Sequence, residues 1–307
     1  MKIRFYDLFA GIGGMRIGLE RAGFICVGSC EIDKYALQVY NTRFGEQNEP
    51  QDARKLDARK LPDFEVLTAG FPCQAFSYAG KRLGFNETRG TLFFEIVRIA
   101  KEKRPEILFL ENVRGLLNHD RGRTFSTIID KLSKVGYDLE WQCIDGKYFV
   151  PQKRERIFII GYRRDKPRRK IFPIEGCCKN NDQTPEEAQR ERERFRNEYS
   201  TAIDANYWKG GGSGSRTMIL ASHTKTNIKQ RVQDREEVWT IDTSNSKQYI
   251  TEGSRIRRLT PLECERVMGL PDNWTKVEGV SDTQRYKCIG NAVIPQVVEM
   301  IGKELMK

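Results

Sequence analysis

Apolar and polar positions alternate along the first 160 residues in a pattern that predicts strands followed by helices. Short apolar runs predict strands over residues 3–9, 24–28, 65–69, 107–110 and 156–161. Apolar residues at helical spacing predict helices over residues 15–22, 92–103, 125–132 and 296–305. Repeated strand–helix units favour an α/β fold with a doubly wound, mainly parallel sheet.

Polar or glycine-containing runs follow several of these predicted strands. In doubly wound sheets, ligands bind in the crevice beyond the carboxyl ends of the strands. We therefore expect the functional site at that edge of the sheet.

The pattern changes after residue 163. Residues 163–170 form a basic run, and residues 209–216 form a loop rich in glycine and serine. Regular helical periodicity returns only near the C-terminus. We predict a catalytic, cofactor-binding domain over residues 1–163 plus 276–307, and a second, smaller, irregular domain over residues 164–275.

Charge and composition narrow the class of protein. The 307 residues are 38% hydrophobic and 31% charged, as in a folded globular chain, and the formal net charge of +11 favours a polyanionic partner. No apolar run approaches the roughly 20 residues that span a bilayer, and the N-terminus lacks a signal-peptide core, so we expect a cytoplasmic protein. The chain has eight cysteines without CxxC spacing and two histidines, which argues against a metal site.

A glycine loop at residues 9–14 joins the first predicted strand to the first predicted helix. Such a loop brings backbone N–H groups close to a ligand. Glu31 follows Gly11 by twenty residues and ends the second predicted strand, where a carboxylate can accept from ribose hydroxyls. The pair favours a nucleoside cofactor, and a nicotinamide-dependent oxidoreductase is an alternative at this point. A glycine loop that only makes a turn is the other alternative.

Cys73 lies in the loop over residues 70–77, beyond a strand end, and is a candidate nucleophile. Glu111 ends another strand and could donate a proton there. Arg154 and Arg156 are expected on one side of a strand, where they could hold a base carbonyl or a phosphate. The alternatives are a buried cysteine that serves as a small hydrophobic side chain and a surface salt-bridge ladder around Glu155.

The chain resembles the bacterial DNA (cytosine-5) methyltransferases of the restriction–modification type over nearly its full length outside roughly residues 164–250. The matching runs are residues 7–14, Glu31, Asp52, residues 70–77, 111–113 and 152–156, residues 258–261 with Glu263, and residues 290–293 with Pro295. The proline–cysteine–glutamine run and the glutamine–arginine–arginine run, in this order, are highly specific together.

The resemblance implies a methyltransferase fold that takes S-adenosylmethionine as methyl donor and releases S-adenosylhomocysteine, with no metal. It places residues 9–14 along the methionine portion, Glu31 at the ribose and Asp52 at the adenine amino group. The cofactor contacts implied are Asp7, Phe9, Ala10, Gly11, Gly13, Gly14, Glu31, Ile32, Asp52, Ala53, Gly70, Pro72, Leu92, Asn291 and Ala292.

The resemblance also implies the reaction. Cys73 would add to carbon 6 of a cytosine flipped out of double-stranded DNA, and carbon 5 would then take the methyl group. Glu111 would protonate ring nitrogen 3, while Arg154 and Arg156 hold the base. The smaller domain would recognise the target sequence, and we expect a monomer, with a companion restriction endonuclease left open. The DNA contacts expected are Gln74, Ser77, Lys81, Arg89 and Arg216.

Two other functions remain as alternatives. One is a tRNA cytosine-5 methyltransferase of similar architecture, although the Cys-Phe-Thr run typical of those relatives is absent from the sequence. The other is a DNA-binding relative without catalysis, which the loss of Cys73, Glu111 or the arginine pair would indicate. All four of these residues are present.

Overall fold

The computed structural model describes residues 2–72, 91–167, 170–174, 238–239, 249–252 and 255–307. The first strand, β1 (Arg4–Leu8), leads through the glycine loop into helix α1 (Gly14–Arg21). Strand β2 (Ile25–Cys30) and helix α2 (Lys34–Phe44) form the next unit. The predicted first two strands and first helix are therefore confirmed, whereas α2 was not predicted.

Strand β3 (Val66–Gly70) is followed, after residues outside the described part, by helix α3 (Thr91–Lys103) and strand β4 (Ile107–Val113). Helix α4 (Arg123–Lys134) then leads to strand β5 (Tyr137–Asp145), the short strand β6 (Gln152–Lys153) and strand β7 (Glu155–Arg163). These elements confirm the strands predicted over residues 65–69, 107–110 and 156–161. They also confirm the helices predicted over residues 92–103 and 125–132.

In the described part of the chain the main sheet has six strands, in the order β2-β1-β3-β4-β7-β5. The pairings among β2, β1, β3 and β4 are parallel, and those of β7 with β4 and β5 are antiparallel. The prediction of a mainly parallel sheet is confirmed, and the antiparallel strands lie at one end. β5 was not predicted.

Two buried clusters cover opposite faces of this sheet because alternate strand residues point to opposite sides. Phe5, Val66 and Phe109 lie in the first cluster, which includes residues of α1 and α2. Leu8 and Leu67 lie in the second cluster, which α3 and α4 complete. Helices therefore cover both faces, as a doubly wound fold requires.

The C-terminal segment returns to the first cluster. It contains α5 (Pro261–Val267), α6 (Asp282–Asn291) and α7 (Pro295–Met306). α1 and α7 pack closely, since a Cβ on Gly18 would lie 2.6 Å from the carbonyl oxygen of Pro295. No helix in the described residues is long and apolar enough to cross a membrane.

The described part of residues 164–275 is limited. Besides α5, it contains three short strands, β8 (Val238–Trp239), β9 (Tyr249–Glu252) and β10 (Arg255–Arg258). β8 pairs with β6, and β9 pairs with β10. Leu259, Cys264 and Met268 belong to the first buried cluster, together with Phe5 of β1. The predicted division into two domains stays a prediction.

Candidate active site

The glycine loop lies at the carboxyl edge of the sheet between β1 and α1. Its backbone takes positive φ values at Phe9 (60°), Gly11 (56°) and Gly13 (86°). A positive φ is strained for a bulky residue such as Phe9, and strain of this kind is concentrated at functional sites. No heavy atom lies within 4 Å of a Cβ built on Gly11. The loop therefore leaves open space where a ligand could approach its backbone.

Glu31 is fixed beside this loop. Its Oε2 accepts a hydrogen bond from Gly11 N at 2.7 Å, and its Oε1 accepts from Ile32 N at 2.9 Å and Asp33 N at 2.8 Å. Burial raises the pKa of the carboxyl, and these backbone donors act against the rise. A carboxylate held by three backbone donors has a set orientation, as a ribose acceptor at the strand end needs.

Ile32 is 60% exposed, which is unusual for a large aliphatic side chain. It directly follows Glu31 at the same edge of the sheet. An exposed apolar surface beside a fixed carboxylate fits a ligand that combines an aromatic ring with hydroxyl groups.

Asp7 lies beneath the loop and is fully buried. Thr68 Oγ1 donates to its Oδ1 at 2.7 Å, while its Oδ2 is buried without a hydrogen-bond partner. Burial raises the pKa of Asp7 to about 7, and Thr68 and the positive charge of Arg16 oppose this rise. The protein encloses this oxygen completely, so the predicted cofactor contact of Asp7 stays a prediction.

Asp52 and Ala53 lie next to the end of β2. Gln51 N donates to the carbonyl oxygen of Glu31 at 2.8 Å, which brings this segment beside the predicted ribose acceptor. Ala53 is buried, and Leu92 is half-buried near the start of α3. The structure therefore places the segment of Asp52 beside the strand end that carries Glu31.

The chain that leads to the predicted nucleophile ends β3. Phe71 is buried, and its carbonyl oxygen accepts from Asn112 Nδ2 at 2.9 Å. Pro72 is exposed. Asn112 therefore fixes the backbone two residues before Cys73. Several predicted residues lie outside the described residues: Cys73, Gln74, Ser77, Lys81, Arg89 and Arg216.

Glu111 lies across from this segment. A Cβ on Gly70 would be 3.4 Å from Glu111 Oε2, so the carboxyl lies beside the point where the chain leaves β3 toward Cys73. Arg156 Nε lies 3.0 Å from Glu111 Oε1, and the two side chains are only 13% and 14% exposed. Burial raises the pKa of Glu111, and the charges of Arg156 and Arg154 oppose the rise. A carboxyl with a raised pKa keeps its proton at higher pH, as a proton donor requires.

Arg154 lies between β6 and β7 rather than within a strand, so the two arginines do not share one strand face as predicted. Arg154 is buried, and its Nη2 donates to the carbonyl oxygens of Gly290 at 2.9 Å and Ala292 at 2.8 Å. The strand break turns its side chain toward the C-terminal segment instead. A base contact by Arg154 stays a prediction.

These bonds bring the C-terminal segment to the glycine loop. A Cβ on Gly14 would lie 2.8 Å from the carbonyl oxygen of Val293. Asn291 is exposed and Ala292 is buried. The segment over residues 290–293 therefore lies against the predicted cofactor loop.

Trp274 was not predicted as part of the site. Its indole Nε1 donates to the carbonyl oxygen of Ile12 at 2.9 Å, and its ring meets the edge of Phe44 at a centroid distance of 5.6 Å. Phe44 in turn lies directly against Gly13. The sequence carries no local signal for this contact because Trp274 and Ile12 are 262 residues apart.

The sheet, the glycine loop with its acid, and the carboxyl beside the strand end define a doubly wound α/β protein with its candidate site at the carboxyl edge of the sheet. The fold matches that of the S. pombe Dnmt2 methyltransferase with a TM-score of 0.68 and 19% sequence identity, over 99% of each chain. Within the described residues, no group of three or more metal-ligating side chains comes together.

A family model described as C-5 cytosine-specific DNA methylase matches residues 3–307, and the chain belongs to this family. The chain is 38% identical to the Type II methyltransferase M.DsaV of Dactylococcopsis salina, over 99% of this chain and 86% of that protein. It is 36% identical to the Type II methyltransferase M.HhaI of Haemophilus parahaemolyticus, over 98% of this chain and 93% of that protein. The protein is accordingly a DNA (cytosine-5) methyltransferase.

The Trp274→Phe variant tests the link between the C-terminal segment and the glycine loop. It keeps an aromatic ring beside Phe44 but removes the donor to Ile12. A hydrogen bond contributes about 1 kcal/mol, so we expect S-adenosylhomocysteine to bind about fivefold more weakly in calorimetric titration. The matched control is Trp141→Phe, since Trp141 is 46% exposed on β5 and packs only on Phe125 among the described aromatic contacts. Equal affinity in both variants would contradict a role for Trp274 in holding the loop.

Proposed function

We propose that this protein methylates carbon 5 of a cytosine within a specific short sequence of double-stranded DNA. The observation that supports this most directly is the place of Glu111. Its side chain is only 14% exposed, lies 3.0 Å from Arg156, and is next to Gly70, three residues before Cys73. An acid at this position can act on a base that the Cys73 thiol attacks. Such a base must leave the duplex, which costs a few kcal/mol of stacking and pairing.

The proposed cofactor is S-adenosylmethionine, which supplies an electrophilic methyl group when bound. Glu31 would accept from the ribose hydroxyls, and the exposed side chain of Ile32 would contact the adenine. The open space at Gly11 fits the methionine portion. The other contacts follow the resemblance described above.

The proposed chemistry begins at Cys73. Its thiolate adds to carbon 6 of the cytosine, and electron density moves toward carbon 5. Glu111 donates a proton to ring nitrogen 3 and so limits the negative charge on the ring. Arg156, whose Nε lies 3.0 Å from Glu111 Oε1, holds this carboxyl in place. Transfer of the methyl group to carbon 5 would leave S-adenosylhomocysteine. A solvent base then takes the carbon-5 proton, and the electron pair of that C–H bond expels the Cys73 thiolate from carbon 6. The proton on ring nitrogen 3 returns to Glu111.

Sequence recognition is assigned to residues 164–275, where Arg216 is a proposed DNA contact. Gln74, Ser77, Lys81 and Arg89 are the proposed contacts near the flipped base. The names of the Type II methyltransferase relatives support a role in restriction and modification, and a companion restriction endonuclease is part of this proposal. We propose that the enzyme acts as a monomer.

Methyl transfer by the purified protein tests this function. The protein should transfer labelled methyl groups from S-adenosylmethionine to duplex DNA, and bisulfite sequencing should find protected cytosines within one short sequence. Labelling of tRNA, with none of duplex DNA, would favour the tRNA alternative and contradict the proposal. Binding to DNA should also weaken steeply with salt because phosphate contacts release counterions.

A further inference from the structure

A five-residue sequence, Asp-Ala-Arg-Lys-Leu, occurs twice in succession, at residues 52–56 and again at residues 57–61. We call these the first repeat and the second repeat. Each forms a short 3-10 turn, Ala53–Lys55 and Ala58–Lys60, and the aspartate before each turn accepts from the backbone N–H two residues later. The two copies therefore have the same local structure in different surroundings.

Within the first repeat, the Arg54 guanidinium donates hydrogen bonds to both carboxylate oxygens of Asp52. Its Nη2 lies 2.6 Å from Oδ2, and its Nε lies 3.0 Å from both Oδ1 and Oδ2. This is the two-point geometry that a planar guanidinium makes with a carboxylate. The same grip holds the pKa of Asp52 below its ordinary value, so the carboxyl is ionised.

The first repeat is anchored at the proposed cofactor site. Gln51 N donates to the carbonyl oxygen of Glu31, and Cys30 Sγ lies 3.4 Å from the carbonyl oxygen of Gln51. On the other side, Arg98 Nη2 donates to the carbonyl oxygen of Ala53 at 3.1 Å. Asp52 is only 12% exposed. Its carboxylate is thus held on a fixed turn next to the end of β2.

The second repeat makes the same pair away from that edge. Arg59 Nε lies 3.1 Å from Asp57 Oδ1, but these side chains are 75% and 35% exposed. The second repeat is held instead by Lys103 at the end of α3, whose Nζ donates to the carbonyl oxygen of Leu61 at 3.0 Å. The second repeat therefore serves as an internal comparison for the first.

We infer that Arg54 is a positioning residue that presents the Asp52 carboxylate to the exocyclic amino group of the cofactor adenine. The inference rests on the proposed function, in which Asp52 accepts from that amino group. A carboxylate has about four acceptor sites, and the grip of Arg54 leaves capacity for one more donor. Because an ionised carboxylate repels a carbonyl oxygen, the pair would also select adenine over a base that carries oxygen at this position.

Binding of two nucleosides separates this role from a purely structural one. The full chain is titrated by calorimetry with S-adenosylhomocysteine and with S-inosylhomocysteine, which has oxygen in place of the amino group. The wild-type protein should prefer the adenosine compound. In Arg54→Gln that preference should fall about fivefold, since an unfixed carboxylate makes a weaker charge-assisted bond, while S-inosylhomocysteine binds no more weakly than before.

Two further variants complete the test. Arg59→Gln removes the same pair from the second repeat and should leave both affinities unchanged. Arg54→Lys keeps the charge but not the two-point grip, so it should restore only part of the preference. Thermal denaturation of each variant checks that the fold is retained.

The outcomes are distinct. An equal loss of affinity for both nucleosides in Arg54→Gln would show a general structural effect and overturn the inference. Tighter binding of S-adenosylhomocysteine by Arg54→Gln would show that Arg54 competes with the adenine, and would overturn it too. If the wild-type protein binds neither compound, the proposed cofactor fails and the inference fails with it. If it binds S-adenosylhomocysteine and Arg54→Gln keeps the full preference, the inference alone fails.

Discussion

Replacing Cys73 with serine should reduce methyl transfer to duplex DNA by at least about 10⁴-fold, because a hydroxyl is a far weaker nucleophile than a thiolate at neutral pH. The surroundings of the described chain agree with this role for the residue. Asn112 donates to the carbonyl oxygen of Phe71, and Glu111 lies beside Gly70. These contacts fix the backbone that leads to Cys73. Binding of S-adenosylhomocysteine should remain unchanged, which calorimetry can measure.

A covalent trap makes this prediction sharper. Duplex DNA with 5-fluorocytosine at the target should form a denaturant-stable adduct with the wild-type enzyme, because fluorine does not leave carbon 5 as a proton does. The Cys73→Ser variant should form no adduct. The control is Cys143→Ser, since Cys143 is a half-buried cysteine on β5. Turnover by Cys73→Ser at the rate of the control would contradict covalent catalysis through this residue.

Replacing Glu111 with glutamine should lower kcat by about 10²- to 10⁴-fold, the usual contribution of a positioned proton donor. Glutamine keeps the shape of the side chain but has no acidic proton to donate. The variant should still bind DNA and S-adenosylhomocysteine. Measurement of single-turnover methyl transfer with saturating cofactor separates the chemical step from binding.

The pH profile supplies a second readout for Glu111. Burial raises the pKa of this carboxyl, and a proton donor works only while it is protonated. Wild-type turnover should therefore fall as the pH rises through that pKa, and the Gln variant should lack this fall. Glu155→Gln is a suitable control, because the Glu155 side chain is 36% exposed and pairs with Arg114 instead of Arg156. A Gln variant with the wild-type kcat and pH profile would exclude Glu111 as the donor.

Much of the sheet and of the site near the N-terminus follows from local sequence. The glycine loop and Glu31 could be placed because a strand, a turn and a helix with fixed periodicity leave little choice of geometry. The same reasoning placed Glu111 at a strand end. In these cases the residues that determine the local structure are close in sequence, within one strand or helix. The pattern of apolar and polar residues is then sufficient to predict that structure.

Other features depend on contacts that no local pattern encodes. Arg154 reaches carbonyl groups 136 and 138 residues away, so its direction is set by the packed C-terminal segment rather than by its own strand. β5 was not predicted because it does not show the usual pattern of buried apolar and exposed polar residues. It lies at the edge of the sheet, where the apolar Trp141 is exposed and the polar Gln142 is buried. The repeated pentapeptide is visible in the sequence, but the different surroundings of its two copies are set by distant residues such as Arg98 and Lys103.

The packing of α1 against α7 has a consequence for synthesis of the protein on the ribosome. α1 emerges well before its partner, because the surface at Gly18 is covered by Pro295 and Val298, more than two hundred residues later in the chain. Chains grow at about 5–20 residues per second, so this apolar surface waits on the order of tens of seconds for its partner. During that time the nascent chain would offer a natural binding site for chaperones, and a truncation before Pro295 should leave the N-terminal half prone to aggregation.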